Sequence, residues 1–181
     1  MKTISLPFAL AILLFAQACT NQSQTDQTTA NTTALTEKPA SEAAETALTE
    51  RLTALGLSTN SDWRGIHHGD PVATVRATEK GMLFESDAKH LGYTVEFQNL
   101  ESADVLYQLN ANQAVSSIDV DLYLNNEKSA TAYQTELTDY FNVRYKPTGA
   151  LATWTGESKE TITLKNVSKG KDYGLKIKLK G

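Results

Sequence analysis

Two small groups of polar residues are of types suited to chemistry. His67, His68 and Asp70 combine imidazole and carboxylate groups, which are common zinc ligands, but adjacent residues in an extended loop point to opposite sides. Asp119 and Asp121 would lie about 7 Å apart on one face of a strand, as carboxylates in acid–base catalysis on glycosides can do. Neither group has an evident third functional residue. Because nucleophile-elbow, phosphate-loop and dinucleotide motifs are also missing, we predict a non-enzymatic protein without cofactor or metal.

The only cysteine, Cys19, closes a hydrophobic segment that follows Lys2. The apolar run of about a dozen residues is shorter than the about 20 residues of a membrane-spanning helix, and it is typical of an export signal. With Ala16 and Ala18 before the cysteine, the pattern resembles the signals of bacterial lipoproteins. That resemblance implies a signal peptide at residues 1–18 and a lipid, such as palmitate, on Cys19. The alternative is an ordinary secretory signal that is cleaved after Ala18.

Thr20 follows the cysteine, and no aspartate or acidic cluster is nearby. In the lipoproteins that this signal resembles, an aspartate there favours retention at the inner membrane in some bacteria. The resemblance therefore implies an outer-membrane lipoprotein whose body faces the periplasm. Since a single cysteine cannot form an internal disulfide, the body must be stabilised by a packed core.

The rest of the chain divides into a polar segment and one domain. Residues 19–40 contain few large apolar side chains and cannot bury enough surface to offset chain entropy, so we predict a disordered tether. Residues 41–181 suit a single α+β domain. Its charge is uneven: residues 61–156 hold 7 Lys/Arg and 13 Asp/Glu (net −6), whereas residues 157–181 hold 7 Lys and 3 acids (net +4). The basic end is too small, and too poor in arginine and aromatic residues, for a nucleic-acid site.

Three helices are predicted in this domain. Residues 41–57 carry a thin apolar stripe behind a possible cap at Ser41. Asp70-Pro71 is typical of a helix start, with Asp as the cap and Pro in the first turn, and this helix is expected to run to about Lys80. Asn126 caps the third helix. Its apolar stripe consists of Ala130, Tyr133, Leu137, Tyr140 and Phe141.

Six segments alternate apolar and polar residues with the period of a strand. They cover residues 91–97, 105–109, 118–124, 152–155, 161–167 and 173–180. We therefore predict an α+β fold, with an antiparallel sheet of about six strands, helices on one face and two α-β-β-β units in tandem. The uncovered face would carry Asp119, Asp121, Lys176 and Lys178 as partner contacts, although a plain half-buried sheet has the same pattern. Trp63, in a polar loop, is a further candidate contact, but tryptophan also fits a core.

Several short motifs within residues 63–124 resemble one known repeat. They are Gly65-Ile66, Gly69-Asp70, Gly92-Tyr93-Thr94-Val95-Glu96-Phe97 and the Asn-rich turn that follows. They resemble the small lipoprotein of the outer-membrane β-barrel assembly machine, the small protein A / outer-membrane lipoprotein A family. The β-lactamase-inhibitor-protein fold uses the same helix-then-strands unit twice. The resemblance implies a binding or assembly role rather than catalysis.

The sequence thus favours a lipid-anchored periplasmic protein that binds another protein as an assembly or scaffold component of the envelope. The alternative is an inhibitor or a small-ligand-binding lipoprotein on the same fold. Such a protein needs a preformed concave face or pocket, and an inhibitor should act without its lipid.

Overall fold

The computed structural model describes residues 48–181. The predictions for the signal peptide, Cys19, the tether and the Ser41 cap fall outside this range. The helices are α1 (Glu50–Ala54), α2 (Val72–Thr78) and α3 (Glu127–Arg144). The strands are β1 (Met82–Ser86), β2 (His90–Glu96), β3 (Ser102–Leu109), β4 (Val115–Leu124), β5 (Lys146–Pro147), β6 (Thr153–Thr155), β7 (Thr161–Asn166) and β8 (Tyr173–Lys180).

The eight strands form one antiparallel sheet in the order β1-β2-β3-β4-β8-β7-β6-β5. The predicted α+β class is confirmed, but the predicted number of six strands is wrong. The two additional strands are the sheet edges: β1 has no buried residue and so no alternation, and β5 is two residues long and contains Pro147. The element order repeats, with four strands after α2 and four after α3.

The first two helices begin and end at positions that differ from the prediction. Thr49 is extended (ψ 161°) and its hydroxyl accepts the N–H of Leu52 at 3.2 Å, so α1 begins at Glu50. Asp70 does not cap α2, because its carboxylate accepts the N–H of His67 at 2.8 Å within the preceding loop. The helix then ends at Thr78 instead of about Lys80.

The core lies between the helices and one face of the sheet. Alternate residues of β3 and β4 are buried and meet the buried stripe of α3, which has the five members that the sequence predicts. Leu52 and Leu55 are also buried, so α1 belongs to this core. The buried side chains and the helices lie on one side of the sheet. The polar residues that alternate with them along each strand therefore lie on the opposite side.

Asn126 starts the longest described helix, as predicted, and its side-chain oxygen accepts the N–H of Ser129 at 2.9 Å. Replacing Asn126 by alanine leaves that N–H without its acceptor, and we expect a loss of about 1 kcal/mol in the free energy of unfolding. Urea denaturation measures this loss. The matched comparison is Lys128→Ala, at an exposed residue in the first turn of the same helix, and an equal loss there would remove the capping explanation.

Candidate functional site

The sheet side opposite the helices is the candidate site, and it is called the open face below. Its central part consists of the outward residues of four adjacent strands, and no described element packs over it. These residues are Ser102, Asp104, Leu106 and Gln108 on β3; Asp119, Asp121 and Tyr123 on β4; Gly174, Lys176, Lys178 and Lys180 on β8; and Thr161, Thr163 and Lys165 on β7. The four predicted polar contacts thus lie together in its middle.

Two ion pairs join β4 to β8 at the centre of the open face. Lys176 Nζ lies 2.7 Å from Asp121 Oδ2, and Lys178 Nζ lies 2.9 Å from Asp119 Oδ1. Each pair is directly cross-strand, because the register sets Asp121 opposite Lys176 and Asp119 opposite Lys178. Exposed ion pairs contribute at most about 1 kcal/mol, so these side chains can exchange partners with charged groups of another molecule at small cost.

One row across the four central strands has a regular sequence of charges. The register sets Asp104 beside Asp121, Asp121 beside Lys176, and Lys176 beside Lys165. The row therefore reads two carboxylates on β3 and β4 followed by two lysines on β8 and β7. Its outer members, Asp104 and Lys165, form no ion pair with any residue that the structure describes. The open face is consequently divided into an acidic half and a basic half.

An aromatic knob and a small depression lie next to each other at one end of this division. Tyr123 is 51% exposed and stands opposite Gly174 in the register. A depression of about 170 Å³ lies beside it, lined by Tyr123, Val167, Gly174 and neighbouring residues. Burial, followed by the charges of Asp104 and Asp121, raises the pKa of Tyr123, so its hydroxyl stays protonated at neutral pH.

The edge of the acidic half is apolar. Phe84 lies at a bulge of β1, and its ring covers Gly92: a Cβ atom on Gly92 would lie 2.5 Å from the ring. Phe84 is 46% exposed, and Met82 nearby is 66% exposed. Sequence reasoning missed both residues because β1 has no alternating pattern. The available signal was Gly92, because a glycine inside a strand often marks a place where another group approaches the backbone closely.

Trp63 is not a contact residue, which corrects the sequence prediction. Its side chain is fully buried. The backbone folds back at Arg64 and Gly65, which both have positive φ (51° and 81°), and the Ile66 N–H donates to the Trp63 carbonyl at 2.8 Å. This tight turn points Trp63 and Ile66 into the core. Trp154 is buried as well, and its Nε1–H donates to Asn142 at 2.8 Å.

A second concave region, called the groove below, lies between α3 and the β5–β7 end of the sheet. Its volume is about 740 Å³. Pro147, Leu151, Leu164 and Val167 supply apolar surface, and Leu151 is 97% exposed. The polar rim comes from α3 and β7: Gln134, Thr138, Asn142, Lys165 and Asn166. Sequence analysis did not predict this groove, because its walls come from segments that are distant in the chain.

The two adjacent histidines do different things. His68 is held between two acceptors: its Nδ1 lies 3.0 Å from Asp62 Oδ2, and its Nε2 lies 3.2 Å from the carbonyl oxygen of Leu179. His67 is more than half exposed and lies 3.8 Å from the same carboxylate. Of these two candidate ligand residues, His68 thus forms a clamp that links the loop to the end of β8 through its hydrogen bonds.

This clamp makes stability depend on pH. Burial alone would lower the pKa of His68, but the hydrogen bonds to Asp62 and Leu179 and the charges of Asp62 and Glu160 outweigh it, so the pKa is raised above 6.5. The contribution is therefore fully present below pH 6.5 and is lost as pH rises through the folded-state pKa. We expect the free energy of unfolding to fall over that range in the unaltered chain. A His68→Gln variant should lack this decline in urea denaturation series, whereas His67→Gln should keep it.

Three metal-binding residue types also meet at the β1–β2 turn. Among the described residues, Glu85, Asp87 and His90 place potential ligand atoms within 4.8 Å of one another. Asp87 accepts the N–H groups of Lys89 and His90 at 2.6 and 2.7 Å. These bonds close the hairpin turn between β1 and β2 and bring the three side chains together.

No helix within residues 48–181 is both long enough and apolar enough to cross a membrane.

Comparison of the chain with protein-family models, with curated proteins and with solved structures found no match.

Proposed function

We propose that this chain is a non-enzymatic lipoprotein, anchored through Cys19 at the periplasmic face of the outer membrane, that binds another protein as an assembly or scaffold component. The hydrophobic segment and the small residues before Cys19 support the anchor, and the absence of aspartate after Cys19 supports the outer-membrane location. We also propose that its two helix-plus-strands units are similar to the repeats of the small protein A and β-lactamase-inhibitor-protein folds.

The observation that carries protein binding is the divided charge of the open face. Its central carboxylates and lysines form two exposed ion pairs, Asp119 also accepts the Gln108 side-chain N–H, and Asp104 and Lys165 extend the two halves outward. Surfaces that present separate acidic and basic halves select a partner by electrostatic complementarity. Asp119 and Asp121 line a depression of about 390 Å³ on the open face. Each carboxylate binds a lysine there, and this pairing favours a non-enzymatic role.

The anchor is tested by replacing Cys19 with serine. We expect the unaltered chain to carry acyl chains on its first mature residue, detectable by mass spectrometry, and to sediment with outer-membrane fractions. The Cys19→Ser variant should lose both properties. Mass spectra of a chain cleaved after Ala18 with an unmodified cysteine would contradict the proposal and favour the ordinary secretory signal.

Partner binding is tested by cross-linking intact lipoprotein in membranes and identifying the linked proteins. The comparison uses Lys176→Glu/Lys178→Glu on the open face and Lys128→Glu on α3. We expect the unaltered chain and the α3 variant to yield the same partner, and the open-face variant to lose it. A partner retained by both variants would place its binding site elsewhere, and recovery of no partner would contradict the proposal.

The groove favours a second candidate function, binding of a small ligand. Its volume of about 740 Å³ lies within the about 300–1,000 Å³ of typical ligand pockets, and apolar walls with a few polar groups are usual there. A ligand screen on the intact chain and on Leu151→Asp distinguishes this role. Small-ligand binding would be favoured by a ligand that binds Leu151→Asp more weakly than the unaltered chain, together with recovery of no protein partner. An inhibitor would in addition act on its target without Cys19.

A further inference from the structure

We propose that the open face docks against the open face of a second copy of this chain, about a two-fold axis parallel to the strands and between β4 and β8. This inference rests on the proposed function, because it takes the open face as a protein-binding surface and names its partner. Such an interface is isologous, so every contact occurs twice.

The axis superposes opposite charges. Rotation about a line between β4 and β8 places β3 of one copy over β7 of the other and β4 over β8, at the same height along the strands. The row of two carboxylates and two lysines then lies over the same row of the second copy in the reverse order. Asp104 faces the second copy's Lys165, and Asp121 faces the second copy's Lys176.

The same rotation pairs the knob with the depression. Tyr123 on β4 comes over Gly174 on β8 of the second copy, because these two residues stand opposite each other in the register. Tyr123 is 51% exposed, and the depression beside Gly174 has a volume of about 170 Å³. Shape and charge therefore agree on one symmetry operation, although they come from different residues.

The face is close in size to a standard interface. The eight strands contain 49 residues. At a rise of about 3.3 Å per residue and a strand spacing of about 4.8 Å they cover roughly 780 Å² per copy, against about 800 Å² per partner in interfaces of standard size.

The symmetry also suits an anchored protein. A two-fold axis along the strands preserves height along that axis, so the first described residue, Leu48, lies at the same level in both copies. Two chains that are anchored in one membrane can therefore associate with the axis perpendicular to the membrane plane.

Reciprocal charge reversal tests the arrangement. Asp104→Lys sets two lysine side chains against each other at both symmetric contacts of its own homodimer, and Lys165→Glu sets two carboxylates against each other there. In a mixed dimer of the two variants both contacts are attractive. The introduced lysine faces the introduced glutamate at one contact, and the native Asp104 faces the native Lys165 at the other. Neither residue takes part in an ion pair with the described part of the chain. Asp104 also accepts the Thr94 hydroxyl at 2.6 Å, so the circular dichroism of each variant is compared with that of the unaltered chain to establish that the sheet is intact. Lys128→Glu and Asp139→Lys make the same charge changes on α3 and serve as matched controls.

Sedimentation equilibrium of the intact lipoprotein in density-matched detergent measures the dissociation constant. We expect a dimer that weakens with added salt, a loss of about tenfold or more in affinity for each reversal alone, and recovery on mixing the two. Tyr123→Ala should also weaken the dimer, and the controls should not. A monomeric unaltered chain, homodimers unaffected by either reversal, or no recovery on mixing would overturn the inference.

Failure of this inference is distinguishable from failure of the proposed function. A monomeric chain that still captures a different protein through the open face overturns the self-docking and leaves the proposed function standing. A chain that is not acylated at Cys19 contradicts the anchor, while the reciprocal reversals still decide the dimer.

Discussion

Replacement of Glu79 by alanine is expected to lower the free energy of unfolding by about 3 kcal/mol, because it leaves the Arg64 guanidinium, whose side chain is only 15% exposed, without its partner. The Glu79 carboxylate is fully buried and receives the Arg64 Nε–H at 3.0 Å to both oxygens. The Tyr107 hydroxyl donates to the same carboxylate. Burial and the charge of Glu79 raise the pKa of Tyr107, so this hydroxyl remains a donor at any physiological pH.

Urea denaturation of Glu79→Ala beside Glu136→Ala checks this expectation. Glu136 pairs with Arg51 near the surface, where the two side chains keep 22% and 35% of their exposure. Its loss should cost no more than about 1 kcal/mol. If the two substitutions cost the same, the buried Arg64–Glu79–Tyr107 group is not a main determinant of stability.

Phe141→Ala should cost about 3–5 kcal/mol, because it opens a cavity where α3 meets the sheet. Phe141 is fully buried, and its ring centroid lies 5.4 Å from that of Tyr140, 6.0 Å from that of Tyr145 and 5.2 Å from that of Trp154. The substitution removes both the burial and these aromatic contacts.

Val143 provides the matched comparison on the same helix. Its side chain is 58% exposed, so Val143→Ala should change stability by about 0.5 kcal/mol or less. Denaturation monitored by the fluorescence of Trp154 and Trp63 measures both variants. A small effect of Phe141→Ala would mean that the surrounding rings close the space, and it would contradict the expected cavity.

The helix α3 shows how much of this fold could be predicted. Its cap at Asn126 and all five buried residues follow from a helical period that runs unbroken from Glu127 to Arg144. The central strands were equally predictable, because one side of each faces the core and the other faces outward. The α1 and α2 boundaries were not, since Thr49 and Asp70 use their side chains in local bonds that a short pattern does not distinguish.

The candidate site was predicted in part. Alternation alone placed Asp119, Asp121, Lys176 and Lys178 on the outward side of two strands. It could not show that β4 and β8 are neighbours, because those strands are separated in the chain by α3 and three further strands. Asp104, Lys165 and the depression at Gly174 entered the site only once the strand order and register were known.

The sequence by itself determined the α+β class and the polarity of each strand face, because these depend on composition and on periods of two or about 3.6 residues. The export signal stays a prediction from the hydrophobic pattern before Cys19. Only the tertiary structure decided that Trp63 is buried, that β1 and β5 close the sheet at its edges and that the open face is divided by charge. Those features depend on a tight turn and on pairing between distant segments, for which neighbouring residues carry no local signal.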